Sequence, residues 1–472
     1  MKIIPGLRTL RSDFIRTAAW ILCAVAIFVF LVASAEVLRT NAIFDYGEGV
    51  VLNLAKNLMD KGTYFFDINH PPFIHGVYPP IFPLLISLAW HSAPPLLFGR
   101  LLSFVAALAS AFVLYKLLRG KIAAEPSAQL AIIFLTSWFM ISFAPILRID
   151  TLAVFLSLVG IYCFLNLGSR FWISGPIFIL AFYTKQTAII APIAVLLCLA
   201  AGQNWKKLGV FSASYLLPLA VSFFTINAAT AGQFALHLFT YNNIALNWTH
   251  IWGGYAAFSL SCLPLFALLV LNSGKKELSF FHIYFFLSFL SLFSFAKPGA
   301  SSNYFIEPLA ALILLIGYLL SADQRSSVLG KSYLRTEIFF SAQLILSMLV
   351  FFNFLASPLS PPKPTQEMVI REINNAPPGE ILSEEIGYLV LAGKDVHLEP
   401  FQFSRLAKEG RWDDSPLIKD CEASKFSLVW AGPRILSLPN LAGCLNRFYA
   451  RQTLPGGYFL YTKKSAPPSA SL

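Results

Sequence analysis

The sequence predicts a polytopic all-α membrane protein with about eleven transmembrane helices, followed by a small α/β domain. Of its 472 residues, 57% are hydrophobic and only 12% are charged, whereas soluble proteins carry about 25% charged residues. Apolar runs recur along most of the chain, and a membrane-spanning helix needs roughly 20 such residues. The last part instead alternates helix-like and strand-like polar patterns, which is typical of a small α/β domain.

Each predicted span is an apolar run bounded by polar or charged residues. Two of these runs, at 172–184 and 187–202, are shorter than the others. The full set of predicted spans is 17–35, 98–118, 128–145, 151–168, 172–184, 187–202, 208–229, 254–272, 278–296, 305–322 and 338–356.

The stretch "YPPIFPLLISLAWHSAPP" is predicted to be an interfacial or re-entrant helix. Its apolar part, Ile81 to Trp90, is bounded by Pro79–Pro80 and Pro94–Pro95. About ten residues are too few to cross a bilayer. Counting this segment as a span would also invert the side on which most basic clusters fall.

Basic clusters between the spans predict the orientation, because cytoplasmic loops are enriched in Lys and Arg. The net charge of +11 is divided among these clusters and forms no continuous basic face, so we expect no nucleic-acid partner. The prediction is a plasma (inner) membrane protein with a cytoplasmic N-terminus and an outer C-terminal tail. The clusters predicted inside are Arg119/Lys121, Arg170, Lys206/Lys207, Lys275/Lys276 and Arg325/Lys331/Arg335.

Two domains follow from this pattern: a transmembrane domain over 1–356, which includes a first outer loop at 36–97, and an extracytoplasmic α/β domain over 357–472. The tail opens with the linker "SPLSPPKPT". It continues with helical patterns ("EMVIREINNA", "FQFSRLAKEG", "SPLIKDCEAS") and strand-like ones ("FSLVWAG", "GYFLYTK"). Cys421 and Cys444 lie in this tail, and the sequence leaves open whether they form a disulfide.

Asp45 and Glu48 begin the segment "FDYGEGVVLNLAKNLMDKG", directly after the first span. Its apolar residues repeat at helical spacing and Gly62 is placed to end the helix. We therefore expect an amphipathic helix on the outer membrane surface. The two acids have two interpretations: a catalytic pair, or an N-cap with its capping-box partner three residues later.

Three cations depart from the predicted orientation, because Arg148, Lys185 and Lys297 fall at outer helix ends. Each alone is explained by snorkelling to lipid headgroups. Together with Asp45, Glu48, Asp150 and Glu307 on the same face, they predict a shared polar site, since charges at membrane depth are costly and usually functional. Such cations suit a lipid phosphate. Tyr304 lies in the same segment and is predicted to bind substrate.

His70, in "NHPPF", is a further candidate for substrate binding, with a loop histidine before a proline turn as the alternative. The seven histidines are scattered and no His or Cys pair has ligand spacing, so no metal site is predicted. Carboxylates leave a divalent cation open, and no other cofactor is expected.

Four stretches resemble the membrane-embedded GT-C glycosyltransferases, especially protein O-mannosyltransferases and lipid A aminoarabinose transferases. They are "FDYGEGVVLNLAKNLMDKGTYFF", "YPPIFPLLISLAW" with "GRLLSFV", "RIDTLAVFLSLVGIY" and "FYTKQTAIIAPIAVLL". The resemblance covers about residues 10–320, in order and in topology.

The resemblance implies sugar transfer on the outer face from a polyprenyl-phosphate-linked donor to a lipid, glycan or protein. Asp45 matches the essential acid of the first loop, and Asp150 matches an acid at the start of a later helix. With Glu48, these two acids are the predicted catalytic residues. Lys185 matches a lysine after the fifth span. In the family the first-loop acids are adjacent, whereas two residues separate Asp45 from Glu48 here.

The implied chemistry assigns roles to these residues. Arg148, Lys185 and Lys297 are expected to neutralise the leaving phosphate. Asp45 is expected to act as the base for the acceptor hydroxyl, with inversion at the sugar. The competing classes are a transporter or flippase for lipid-linked precursors, an envelope polymerase or ligase, and a non-catalytic scaffold.

Overall fold

The computed structural model describes residues 5–243, 245–273, 277–323, 329–356 and 365–464. Lys275, Lys276, Arg325, the side chain of Lys331 and most of the linker "SPLSPPKPT" lie outside the described part. The chain forms two compact units. The first comprises Met1–Thr40, Gly99–Phe223 and Ala245–Ser357, and the second comprises Asn41–Phe98, Phe224–Ile244 and Pro358–Leu472.

Helices dominate both units, and a four-stranded sheet belongs to the second. Short 3₁₀ segments lie at Gly168–Ile173, Ser291–Ala296 and Ser302–Phe305, and a π-helical turn lies at Leu236–Thr240. The helices are α1 (Pro5–Arg39), α2 (Tyr46–Lys61), α3 (Ile81–Ala89), α4 (Pro95–Arg119), α5 (Ala124–Leu135), α6 (Trp138–Phe143), α7 (Asp150–Asn166), α8 (Ser174–Thr184), α9 (Ile190–Ala201), α10 (Trp205–Ala229), α11 (Gln233–Ala235), α12 (Trp248–Ser261), α13 (Leu263–Asn272), α14 (Phe280–Leu290), α15 (Ile306–Asp323), α16 (Leu329–Ala356), α17 (Gln366–Asn375), α18 (Ile386–Leu391), α19 (Pro400–Lys408), α20 (Ser415–Glu422), α21 (Pro433–Leu436) and α22 (Pro439–Phe448). The strands are β1 (Glu380–Ser383), β2 (Phe426–Ala431), β3 (Tyr449–Leu454) and β4 (Tyr458–Lys463).

Every predicted span coincides with a helix or with two consecutive helices. Within the described residues, however, only five helices are long and apolar enough to cross a membrane, and a sixth span results if α12 and α13, bent by 77°, are counted as one. The structure therefore supports a multi-pass membrane protein without confirming the count of eleven. The five helical stretches are Asp13–Arg39, Pro95–Arg119, Trp205–Ala229, Ser302–Ser321 and Leu334–Leu355.

Polar residues and prolines divide the other apolar runs. The predicted span 128–145 breaks where Ser137 caps α6 by accepting a hydrogen bond from the Met140 N–H at 3.4 Å. The predicted span 254–272 breaks after Ser261, and Pro264 occupies the first turn of α13, where its missing N–H costs little. A sliding window of hydropathy does not detect such breaks.

Helix α15 is the most deeply buried spanning helix of the first unit, with 78% of its apolar window inside the protein. It contacts α5, α7, α13 and α14. Close packing elsewhere uses small residues: a Cβ on Gly160 of α7 would lie 2.4 Å from the ring of Phe178 of α8. Small residues let membrane helices approach closely, so α7 and α8 form a tight pair beside the polar residues at their ends.

The second unit contains the mixed sheet, with strand order β1-β2-β4-β3. Strands β1 and β2 are parallel, and β2/β4 and β3/β4 are antiparallel. The strand-like patterns are observed as β2 and β4, and the helical ones as α17, α19 and α20. All six residues of β2 are buried, which accounts for its continuous apolar pattern.

The first outer loop and the C-terminal segment share one hydrophobic core. The Phe73 N–H donates to the His397 carbonyl at 2.8 Å, and the Glu399 N–H donates to the Phe73 carbonyl at 2.9 Å. The Trp412 indole N–H donates to the Ile68 carbonyl at 2.8 Å. Residues distant in sequence thus form one folded unit.

Two buried histidines fasten this loop to the π-helical turn at Leu236–Thr240. His237 accepts the Gly76 N–H at Nδ1 (2.9 Å) and donates from Nε2 to the Phe66 carbonyl (2.6 Å). His75 donates from Nε2 to the His237 carbonyl at 2.9 Å. Burial lowers the pKa of His75 to about 3 and that of His237 to about 4, so both rings are neutral and structural. A Cys421–Cys444 disulfide joins α20 to α22.

Candidate functional site

A cavity of about 300 Å³ in the first unit is lined by four of the nine site residues predicted from sequence: Asp150, Lys185, Tyr304 and Glu307. Helices α7, α9 and α15 and the segments before and after them form its walls. Its polar lining consists of Asp150, Lys185, Thr187, Ser291, Ser294, Asn303, Tyr304 and Glu307.

Asp150 is the centre of the charged contacts. It is the first residue of α7, where the helix dipole favours an acidic side chain. Its Oδ1 lies 2.6 Å from Lys185 Nζ and accepts from Asn303 Nδ2 at 2.8 Å, and its Oδ2 lies 3.5 Å from Arg148 Nε. The Asp150 side chain is only 2% exposed. A buried carboxylate with two cationic partners holds those cations in place.

Lys185 reaches this carboxylate because α8 ends at Thr184 and the chain turns to an extended conformation at Lys185 itself. Its ammonium also lies 4.5 Å from the centroid of the Tyr304 ring, within range of a cation–π interaction. The side chain is 14% exposed. Lys185 therefore has a fixed position at the cavity wall.

Lys297 and Glu307 complete the charge balance. Burial lowers the pKa of Lys297, and the positive charge of nearby Lys185 lowers it further. Glu307 lines the cavity and accepts a hydrogen bond from the Tyr284 hydroxyl at 3.2 Å. The cavity lining itself therefore carries one cation, Lys185, and two carboxylates, Asp150 and Glu307. Arg148 adds a positive charge through its contact with Asp150.

Sequence reasoning missed Asn303 and Tyr284. Asn303 is 4% exposed, and in the described part of the chain no donor reaches its Oδ1. The signal for Asn303 was its place in the polar run "SSNYF" between Lys297 and Glu307. Tyr284 gave no such signal, because it lies within an aromatic run.

The other two predicted acids lie at the start of α2 in the second unit. Asp45 is its N-cap, and Oδ1 accepts the Gly47 N–H at 2.7 Å. Glu48 is fully buried, and its Oε2 accepts the Phe44 N–H at 2.9 Å. This resembles a capping box in which the Glu reaches one residue before the cap. As predicted, Gly62 ends α2 with a positive φ of 71°.

The apolar stripe of α2 is predicted to face lipid but is buried in protein. Val51, Leu54 and Ala55 have no exposed surface, and α2 contacts α3 and α18. A Cβ on Gly49 would lie 2.6 Å from the backbone nitrogen of Gly387 in α18. This close approach explains why a glycine follows Glu48.

A second cavity of about 300 Å³ opens beside Asp45. Both the first outer loop and the C-terminal segment line it, and all lining residues belong to the second unit. His70 is not among them, and its side chain is 79% exposed, 4.0 Å from Asp67. The polar and aromatic lining is Phe44, Asp45, Tyr46, Glu385, Tyr388, Trp430, Arg434 and Tyr458.

The backbone path of the chain matches solved membrane-protein structures. ArnT from Cupriavidus metallidurans bound to undecaprenyl phosphate matches over 93% of this chain and 97% of its own, with a TM-score of 0.64 and 11% identity. The apo state of that protein matches with a TM-score of 0.60 and 12% identity over 94% of this chain and 98% of its own. This chain therefore shares its fold with these structures.

A third match is the archaeal oligosaccharyltransferase AglB from Archaeoglobus fulgidus, in complex with an inhibitory peptide and a dolichol-phosphate. It has a TM-score of 0.50 and 12% identity over 94% of this chain and 75% of its own. No protein-family profile and no curated protein sequence matches the chain. The resemblance noted from four short stretches is thus confirmed at the level of the fold, and it extends to most of the chain.

Among the described residues, no three His, Cys, Asp or Glu side chains form a group that could hold a metal ion. The carboxylates of Asp150 and Glu307 are engaged by Lys185, Asn303 and Tyr284.

Proposed function

We propose that the chain is an integral membrane glycosyltransferase that moves a sugar from a polyprenyl-phosphate donor to an acceptor on the outer face. The observation that carries the proposal is the anchoring of two cations by buried Asp150: Lys185, which lines the cavity, and Arg148. The fold supports it, since solved proteins of this fold bind undecaprenyl phosphate and dolichol-phosphate.

The donor phosphate is bound by Lys185, with Arg148 and Lys297 adding positive charge. Lys185 lies close enough to Lys297 to lower the pKa of Lys297, so the two cations repel each other. An anion between them relieves this repulsion. The same cations stabilise the charge that develops on the leaving phosphate. The Tyr304 ring packs against the Lys185 ammonium, and Asp150 acts as a positioning residue.

Asp45 is the general base in this proposal. The acceptor oxygen forms a bond to the anomeric carbon while the bond from that carbon to the phosphate oxygen breaks. The hydroxyl proton passes to the Asp45 carboxylate, and the electron pair leaves with polyprenyl phosphate. Attack opposite the leaving group inverts the anomeric centre. Glu48, which contacts the Phe44 N–H, holds the start of α2. A role for His70 in binding substrate stays a prediction.

The proposed orientation has a cytoplasmic N-terminus and an outer C-terminal segment, in the plasma (inner) membrane. The Cys421–Cys444 disulfide supports it, because disulfides persist in oxidising compartments. Nucleotide sugars are not expected there, which is why the donor must be lipid-linked.

The proposal is tested in source cells that lack the chain. We expect them to accumulate a polyprenyl-phosphate sugar and to lose that sugar from one envelope glycan, lipid or protein. The wild-type gene restores the modification and Asp45→Asn does not, although the variant accumulates in the membrane. A flippase would restore it equally well with Asp45→Asn, so full rescue by that variant contradicts the transferase assignment.

A further inference from the structure

The cavity beside Asp45 is not used by the donor site, and its lining carries its own chemical signature. At about 300 Å³, it lies at the lower end of the range of small-molecule pockets, about 300–1,000 Å³. Its walls come from α2, α17, α18, α21, β2 and β4, from the three residues before α2 and from Glu385 before α18. Rigid elements of one unit therefore build it.

Charge is the first element of this signature. Asp45 and Glu385 contribute two carboxylates and Arg434 one guanidinium, so the lining has one net negative charge. The side chain of Glu385 is 17% exposed and lies 3.5 Å from Arg434. An anionic ligand meets repulsion here, whereas a neutral or cationic one does not.

Aromatic rings are the second element. Tyr46, Tyr388, Trp430 and Tyr458 all line the cavity. Such rings offer flat apolar faces together with polar edges. A sugar ring matches this lining, because it presents C–H groups on its faces and hydroxyls at its edge. The carboxylates accept hydrogen bonds from those hydroxyls, and Arg434 donates to ring or glycosidic oxygens.

Arg434 is held in position from several sides. Its guanidinium lies 4.3 Å from the centroid of the Tyr46 ring and 3.7 Å from Glu384. Glu384 itself is 1% exposed and accepts the backbone N–H groups of Gly432, Arg434 and Ile435. This network fixes the cavity wall before any ligand binds, which lowers the entropic cost of binding.

We propose that this cavity binds the acceptor as an uncharged or cationic sugar unit and that Glu385 excludes anionic acceptors from it. Calling the bound sugar an acceptor rests on the proposed transferase function. The binding of that sugar in the cavity does not depend on it. Phosphate recognition then belongs to the first unit, and recognition of the acceptor sugar belongs to the second.

The test measures binding to the purified full-length protein, without any transfer reaction. The probes are methyl glucoside, methyl 2-amino-2-deoxyglucoside, methyl glucuronide and methyl glucoside 6-phosphate. Binding of each probe is measured as the shift in unfolding temperature with ligand concentration. We expect the neutral and amino glycosides to bind about fivefold to tenfold more tightly than the anionic ones, as one nearby charge at a partly exposed site dictates.

Glu385→Gln and Glu385→Lys are expected to reduce this preference at least threefold, with the larger effect for Lys. Glu422→Gln is the matched control, since Glu422 lies on α20 outside the cavity lining. Unfolding of each variant without ligand shows that it is folded.

The outcomes separate the two proposals. Equal or tighter binding of the anionic glycosides to the wild type, or no change with Glu385→Lys, overturns the sugar cavity even if transferase activity is found. Binding with the expected preference supports the proposal that the cavity binds a sugar. If cells lacking the chain then show no loss of sugar transfer, the transferase function is wrong and the sugar-binding proposal stands.

Discussion

Lys185 is the residue on which the proposed donor site depends most. Lys185→Ala removes the ammonium at the cavity and should weaken binding of undecaprenyl phosphate roughly tenfold or more, because a charge-assisted hydrogen bond contributes about 1.5–3 kcal/mol. Binding is measured on purified protein by the ligand-dependent shift in unfolding temperature.

Two controls accompany this variant. Lys185→Arg keeps the charge beside Asp150 and should retain most of the affinity. Lys206→Ala removes an exposed lysine at the start of α10 and should leave affinity unchanged. Equal losses for Lys185→Ala and Lys206→Ala would mean that the phosphate binds elsewhere.

Glu399 predicts a pH-dependent stability of the second unit. It is 3% exposed and its Oε2 accepts the His75 N–H at 3.1 Å. Burial raises its pKa from 4.5 to about 7. The folded state therefore binds the proton more tightly than the unfolded chain, so this contribution is present below pH 4.5 and is lost as pH rises through 7.

Glu399→Gln removes that pH dependence and retains an acceptor for the His75 N–H. The difference in unfolding temperature between Glu399→Gln and wild type should be small at about pH 4.5 and should grow in favour of the variant up to about pH 8. The contributions of His75 and His237 to stability change in the opposite direction, because they are lost as pH falls towards 4. These contributions are the same in wild type and in Glu399→Gln. A difference that shrinks with rising pH contradicts the assignment.

At the scale of single residues, the sequence identifies the charged residues of a site better than the neutral polar residues that contact them. Arg148, Asp150 and Lys185 were identified because ionised groups at membrane helix ends are rare. Asn303 and the pair His75–His237 were not, since a neutral polar residue in a loop is ordinary until its contacts are known. Glu48 illustrates the converse: both of its interpretations fit the sequence, and the contact with the Phe44 N–H favours the helix-capping one.

At the scale of elements, the packing of α2 on α18 depends on two glycines. Gly49→Ala places a methyl group 2.6 Å from the Gly387 backbone, and backbone cannot move aside as a flexible side chain can. We expect the second unit to lose roughly 1–3 kcal/mol of stability, as overpacked sites do, despite the higher helix propensity of Ala.

Gly443→Ala is the matched control, because a Cβ added to this α22 glycine would meet no heavy atom within 4 Å. It should be neutral or slightly stabilising. Proteolytic resistance of the C-terminal segment against temperature reports both variants. If Gly49→Ala is as resistant as Gly443→Ala, the close contact between α2 and α18 is not made in solution.

Elements with a strong period were predicted well, and short ones were not. Strands β2 and β4 and helices α17, α19 and α20 follow from their patterns. Strand β1 has only four residues, and β3, with the sequence "YARQTL", exposes its four central residues. Edge strands of this kind carry little hydrophobic signal.

At the scale of the whole molecule, the orientation of the chain is the main prediction. In a background lacking the free cysteines Cys23, Cys163, Cys198 and Cys262, Asn375→Cys should react with a membrane-impermeant thiol reagent in intact cells. Lys206→Cys should react only after the membrane is opened. The reverse pattern would invert the topology.

The composition of the two units lay beyond sequence reasoning. The predicted division at 356/357 follows the chain, whereas the second unit gathers Asn41–Phe98, Phe224–Ile244 and Pro358–Leu472. Contacts such as Phe73 with His397 span more than 300 residues. No local pattern encodes a pairing at that separation, so only the class of fold and its order of helices were accessible.

The proposed reaction transfers the sugar with Asp45 as base and releases polyprenyl phosphate. Lipid-linked sugars extracted from cells lacking the protein are mixed with an envelope fraction from the same cells and with purified wild type or Asp45→Asn. Asn caps a helix as well as Asp does, so the variant keeps the start of α2 and loses the carboxylate. We expect wild type to release polyprenyl phosphate and Asp45→Asn to release it at least about a hundredfold more slowly. Equal rates for the two proteins, or no release by wild type, would contradict the proposed reaction.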